Sequence, residues 1–325
     1  MPRNRYYSGP VTDHFDGTRF HSPGQPVTDR SFRDLWRWQR SGARAKWPST
    51  VPVTQSIPPE RSARPRLTMV GHATLLIQVA GLNLLTDPVW SDRASPLRFA
   101  GPRRVTAPGI DFEHLPPIDA VLLSHNHYDH LDLDTLKRLH REHGPRMIMP
   151  LGTEATVRKG VRGARVETGD WHDSHALAPG ITATLTPANH WSSRGVRDRR
   201  HALWSGFWID TPEAQIWFAG DTGYGNGAVF HDIRARHGAP DIAILPIGAY
   251  EPRWFMSAQH VAPEESVQMF LDIGAQRAVG MHWGTFQLTD EAREEPLELL
   301  QKSLAAAGIA PERFRALAPG EVLAD

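Results

Sequence analysis

The chain has no cysteine. That excludes disulfides and thiolate metal sites, so any bound metal must rely on nitrogen and oxygen donors. It also lacks a charge excess, since Lys+Arg and Asp+Glu each number 36 among 325 residues. An extended nucleic-acid surface calls for a basic surplus or stripe, so no nucleic-acid partner is expected. Long apolar runs are missing as well. Nothing reads as a membrane span, and Met1 to Gly17 lacks the apolar run of a signal peptide, so a cytoplasmic protein is the expectation. What the chain does have is histidine, 17 in all, and 11 tryptophans, more than core packing alone calls for.

Residues 1–65 differ from the rest. Pro48, Pro52, Pro58 and Pro59 hold the stretch from Lys46 extended, because each removes a backbone donor and restricts its predecessor. One helix is expected, over Ser31–Arg40. This region reads as an arm wrapping the main domain, which spans 66–325. Strands are expected at Leu67–Val70, Ala73–Val79, Leu82–Thr86 and Ala120–Leu123, and further on at Ile181–Thr186, Leu203–Ile209, Gln215–Ala219 and Ile242–Leu245. Asp132–His143 opens on Asp, aligns Leu133, Leu136 and Leu139, ends basic and meets Gly144, the signals of a helix. Two more helices are expected, over Pro263–Asp272 and much of Asp290–Ala307, with Pro296 near the start of the latter. Mixed strands and helices of this kind point to an α/β layered domain.

The strongest chemical signal is Ser124-His-Asn-His-Tyr-Asp-His130, directly after a short apolar strand. Alternate residues of extended backbone point the same way, so His125 and His127 can converge on one ion. A turn into the following helix lets Asp129 and His130 face a second position. Three later strands also end in a ligand type: Thr182–Pro187 before His190, Ile216–Ala219 before Asp221, and Ala278–Met281 before His282. Glycines flank Asp221 and permit a tight turn there. Together these residues can form a shell for two ions that share a carboxylate, about 3.5–4 Å apart as in hydrolytic two-metal sites.

The pattern HxHxDH, then His, Asp and His, resembles the metallo-β-lactamase superfamily. Within it, Ile247–Met256, Gln259–Glu265 and Met281–Phe286 resemble the N-acylphosphatidylethanolamine-hydrolysing phospholipase D family, and Ser31–Pro48 is similar to that family's leading arm. The resemblance implies a four-layer αββα sandwich with its ligands at one edge of two packed sheets. It implies one zinc on His125, His127 and His190, a second on Asp129, His130 and His282, and Asp221 bridging them. Iron or manganese suits the same donors. Such ions lower the pKa of water and offset charge on phosphoryl oxygens. The implied reaction is phosphodiester hydrolysis of a phospholipid to phosphatidic acid and an N-acylethanolamine. An ester or lactone hydrolase using the same shell is the alternative.

Three residues are assigned to the reaction beyond the metals: Asp129 to orient the nucleophile, His260 near the substrate phosphate, and Tyr128 to donate to a phosphate oxygen or pack beneath the cluster. Asp87 is a candidate acceptor for a ligand histidine, whereas His72 reads as structural. Arg194–Arg200 would either attract an anionic headgroup or be solvated. Trp191, Trp204 and Trp254–Met256 are candidates for an acyl groove. The expected partner is a phospholipid or other phosphodiester, with peripheral membrane contact through the N-terminal aromatic residues left open, as is the oligomeric state.

Overall fold

The computed structural model describes residues 4–25, 28–42 and 44–324. Two seven-stranded sheets pack face to face. The first is built on an antiparallel meander: β1 (Arg66–Gly71), β2 (Thr74–Val79) and β3 (Leu82–Thr86). Parallel strands β4 (Ala120–Leu122), β5 (Arg146–Pro150) and β6 (Arg165–Gly169) extend it. The second runs antiparallel through β7 (Ser174–Ala178), β8 (Ile181–Thr186), β9 (Gly206–Asp210) and β10 (Gln215–Phe218). It continues parallel through β11 (Ile242–Pro246), β12 (Arg277–Met281) and β13 (Phe314–Ala316). The last strand, β14 (Val322–Ala324), returns to the first sheet beside β1.

Alternation along each strand builds the layers. Leu75 and Ile77 of β2 enter the core between the sheets, where they meet Phe207, Ile209, Ile216, Phe218 and Ile244, while Leu76 faces outward. The outer face of the first sheet is covered by α2 (Leu133–Glu142) and α3 (Glu154–Gly160). That of the second is covered by α4 (Ala228–His237), α6 (Pro263–Ile273) and α7 (Glu295–Ala306). A short α5 (Arg253–Met256) precedes α6. Strands apolar on both faces need cover on both faces, which makes the αββα sandwich the solution for this sequence.

Strand direction decides where the site lies. β1, β3 and β4 run the same way, and β8, β10 and β12 share a direction in the second sheet. Every ligand-type residue follows the C-terminal end of one of these strands. The sheets are stitched at that edge by backbone bonds from Ser205 N to Ser124 O (2.9 Å) and from His282 N to His72 O (2.9 Å).

The arm helix α1 (Phe32–Arg40) starts on a reciprocal cap between Ser31 and Asp34. Nine residues are marginal alone, so tertiary contacts hold it. Trp38 Nε1 donates to Asp290 Oδ2 at 2.7 Å, and the Trp38 ring meets Phe255 with centroids 4.9 Å apart. Further along, Val51 bridges to Thr106 and Ser56 N bonds Gly109 O.

Candidate metal centre

Two triads of side chains converge at the shared edge. In one, His125 Nε2 lies 2.8 Å from His127 Nδ1, and His190 Nε2 lies 3.3 Å from the same atom. In the other, His130 Nε2 and His282 Nε2 are 3.1 Å apart, with Asp129 Oδ2 at 3.3 and 3.4 Å from them. Asp221 stands between. Its Oδ2 is 3.1 Å from both His130 and His282 and 3.8 Å from His190. All seven residues named from the sequence therefore meet in one cluster.

Local backbone explains how. Gly220 adopts φ +62°, and a Cβ there would come within 2.8 Å of Ser205 O, so only glycine lets the turn present Asp221. His72, Asp87 and His282 also have positive φ, at 57°, 34° and 65°. Such backbone is uncommon outside glycine and collects at sites where surrounding structure enforces it.

On three of the five ligand rings, those of His125, His130 and His190, the far nitrogen is tied to an acceptor, which fixes the ring and its tautomer. Asp87, fully buried, accepts His130 Nδ1 at 2.7 Å, Ser124 N at 2.7 Å and Ser124 Oγ at 2.5 Å. With its proton committed to Asp87, Ser124 Oγ accepts from His125 Nδ1 at 2.9 Å. One carboxylate thus orients a histidine in each triad. His190 Nδ1 donates to Gln259 O at 2.9 Å. Such outer bonds aim the opposite nitrogen at the metal.

The charge pattern tests whether a cation fits. Burial pushes His127, His190 and His260 down to about 3, and His125 well below the usual histidine range. Burial opposes charge on His130 and His282 too, yet Asp221 and Asp129 override it, holding His130 well above its ordinary value and His282 at about 9. Despite the same burial, the two carboxylates stay ionised, held low by His130 in the first place. Protons thus take the place of positive charge between two buried carboxylates. Around them stand neutral imidazoles with inward lone pairs, and Asp221 Oδ1 is buried without a hydrogen-bond partner among the described residues. This donor set is all nitrogen and oxygen, and it fits divalent metal.

Other assignments resolve unevenly. His260 sits on the cluster, with Nδ1 3.9 Å from Asp221 Oδ2 and its ring 5.1 Å from that of His190. The Tyr128 hydroxyl donates to Arg194 O at 3.0 Å, while the Arg194 guanidinium stacks 3.6 Å over the ring. His72, read from sequence as structural, reaches the site: its Nε2 is 2.9 Å from Asp129 Oδ2 and its ring packs tilted against that of His282, centroids 4.0 Å apart. It follows β1 as the other ligand-type residues follow their strands, but only the packing of the chain brings it to Asp129. The basic loop is committed to its own chain. Arg194 donates to Leu131 O, Arg199 to Asp29 and Thr28 O, and Arg200 to Asp29. Trp204 is buried core, donating to Ala188 O, and is not among the residues that line the cavity over the cluster.

A cavity of about 580 Å³ opens over the cluster. His127, Asp129, Asp221 and His260 form its floor, and Leu35, Trp38, Trp191, Phe255, Met256 and Leu288 its apolar walls. Leu35 and Trp38 come from α1, so the arm contributes one wall.

The fold agrees with the comparisons. The family described as the beta-lactamase superfamily domain matches residues 82–283, which hold all seven ligand-type residues. The chain belongs to the beta-lactamase superfamily. It is 38% identical over 248 residues to N-acyl-phosphatidylethanolamine-hydrolyzing phospholipase D 1 of Caenorhabditis elegans, a match covering 74% of this chain and 69% of that protein. This places it in the phospholipase D family that the motifs resembled. An uncharacterized Mycobacterium tuberculosis protein is 40% identical over 76% of this chain, and the match spans 65% of its own length. Among solved structures, a metallo hydrolase from Ignicoccus hospitalis superposes with TM-score 0.59 and 23% identity, covering 80% of this chain and 98% of that one. With the superfamily comes the reaction class, a metal-dependent hydrolase.

Proposed function

We propose that this hydrolase is a two-metal phosphodiesterase that cleaves N-acylphosphatidylethanolamine-like phospholipids in the manner of a phospholipase D. Phosphatidic acid and N-acylethanolamine are the products. The observation that carries the reading is the cavity, with a ligand-lined floor under apolar walls. A phosphodiester between aliphatic chains matches that pairing of a cation site with an apolar shaft. The worm relative's name points to the same substrate class.

His125, His127 and His190 would hold one ion, Asp129, His130 and His282 the other, with Asp221 shared. Zinc suits these donors, and iron or manganese are compatible. Bound divalent metal supplies Lewis acidity, acidifying water and offsetting charge on phosphoryl oxygens. Asp129, whose carboxylate borders the floor, orients the attacking water. His260 faces the substrate phosphate from the same floor. Tyr128 has its hydroxyl committed to Arg194, so its part is to pack beneath the cluster and shape the entrance. The apolar walls exclude water, which strengthens every charge interaction on the floor.

Leu35 and Trp36 of α1 and Trp254 of α5 are exposed, with the Arg40 guanidinium over Trp36 and that of Arg37 over Trp254. Aromatic and basic residues in this arrangement favour peripheral contact with an anionic bilayer. No helix among the described residues is long and apolar enough to cross one.

The test is mass spectrometry of products after zinc-loaded protein meets N-acylphosphatidylethanolamine, with His190→Ala alongside. Phosphatidic acid and N-acylethanolamine should appear only with the intact ligand set. Untouched lipid alongside cleaved esters or lactones would select the carbonyl alternative. No turnover of any of them by metal-loaded protein would sink the proposal.

A further inference from the structure

His72 lies outside the span matched to the superfamily, yet two ligands of one triad depend on it. Its ring is buried. Nε2 lies 2.9 Å from Asp129 Oδ2, and because a carboxylate oxygen accepts, Nε2 is the donor. The other nitrogen, Nδ1, is buried with no hydrogen-bond partner among the described residues. Leaving such an atom unpaired is costly, so the ring is held by its Nε2 bond and its packing against His282.

The backbone adds a second hold. His72 O accepts His282 N at 2.9 Å, and His72 N is bonded to Thr285 Oγ1 at 3.0 Å. One left-handed residue of the first sheet thereby sets both the Asp129 carboxylate and the left-handed turn that presents His282. It touches none of His125, His127 and His190 through a hydrogen bond. Asp87 differs, because it orients a histidine in each triad.

We infer that His72 is a positioning residue dedicated to one of the two metal subsites, the one formed by Asp129, His130 and His282. The inference rests on the two-ion reading. A carboxylate held by an imidazole N–H keeps its remaining lone pairs turned to the ion, and loss of such an outer partner weakens metal binding. The effect is confined to one ion because the bonds of His72 are confined to one triad.

The test is calorimetric titration of chelator-stripped full-length protein with zinc, for wild type, His72→Asn and His72→Gln. Asparagine tolerates the left-handed backbone but is too short to reach Asp129, whereas glutamine places an amide N–H near the lost Nε2. Thermal unfolding of each stripped variant checks that the fold survives. Wild type should bind two equivalents. His72→Asn should keep one at wild-type affinity and bind the other about ten- to a hundredfold more weakly, and His72→Gln should restore part of it. Cobalt loading gives a second readout, as the absorption of one of two bound ions should change. Equal weakening of both equivalents, or of neither, overturns the inference while leaving two ions in place. A single equivalent in wild type overturns the two-ion reading itself, and the inference with it.

Discussion

Trp38→Ala asks whether the arm is part of the active site. Trp38 anchors α1 through its bond to Asp290 and its ring contact with Phe255, and walls the cavity. A hydrogen bond to a charged acceptor contributes about 1.5–3 kcal/mol, and an aromatic pair about 0.5–1.5 kcal/mol. Their loss exceeds what a nine-residue helix can supply on its own, so α1 should detach and open that side of the cavity. The consequence is readable in a chain-length series. Each methylene buried by the intact wall is worth about 0.8 kcal/mol, roughly a fourfold gain in kcat/KM. Wild type should show that gain as acyl chains lengthen, until the cavity is full. In Trp38→Ala the gain per methylene should fall to less than half, while a small soluble diester that uses only the floor is cleaved as before. Trp38→Phe, which keeps the ring contact and loses the Asp290 bond, should fall between. An unchanged chain-length slope, or an equal loss on the small diester, would refute the reasoning.

Other changes act on the cluster itself. Asp87 Oδ2 accepts both Ser124 Oγ and His130 Nδ1 and Oδ1 accepts Ser124 N, so in Asp87→Asn the amide N–H2 meets a donor whichever way it turns. His125 and His130 then lose their orientation, and both zinc equivalents should weaken by about ten- to a hundredfold in calorimetry, unlike the one-sided loss at His72. For chelator-stripped protein, denaturant titrations across pH should show two flanks. His127, His190 and His260 are held at about 3 by burial, so stability present above their unfolded value of about 6.5 is lost as pH falls towards 3. His282 is held at about 9, against its burial, by Asp221 and Asp129, so its contribution is full below about 6.5 and lost as pH rises through 9. A stability curve flat between pH 4 and 9 would contradict this assignment of charges.

Much of the site was legible because its chemistry repeats one local pattern, a buried strand running into a His or Asp. His125 to His130, His190, Asp221 and His282 all follow it, and Asp87 stands out in Thr86-Asp-Pro88 for the same reason. His72 follows β1 in the same way but was read as structural, because its partner is 57 residues distant and met only through sheet packing. Strand limits moved where tertiary contacts overrode propensity: Leu203–Ser205 lies before β9, since Ser205 N is spent on Ser124 O across the edge. The strands β6 and β7 carry few apolar residues and lie at sheet edges, so no hydrophobic run marked them. α4, with its apolar and polar residues poorly segregated, was equally silent. The basic loop stayed open between an anion site and plain solvation because sequence shows its charges but not Asp29, which pairs with Arg199 and Arg200 from a distant stretch of the arm.

The central claim is hydrolysis at phosphorus by water activated in this cluster. Turnover of N-acylphosphatidylethanolamine in ¹⁸O-enriched water, followed by mass spectrometry of each product, tests it most directly. The account predicts one heavy oxygen in phosphatidic acid and none in the N-acylethanolamine. Heavy oxygen in a released fatty acid, with the phosphodiester intact, would mean attack at a carbonyl and would contradict it.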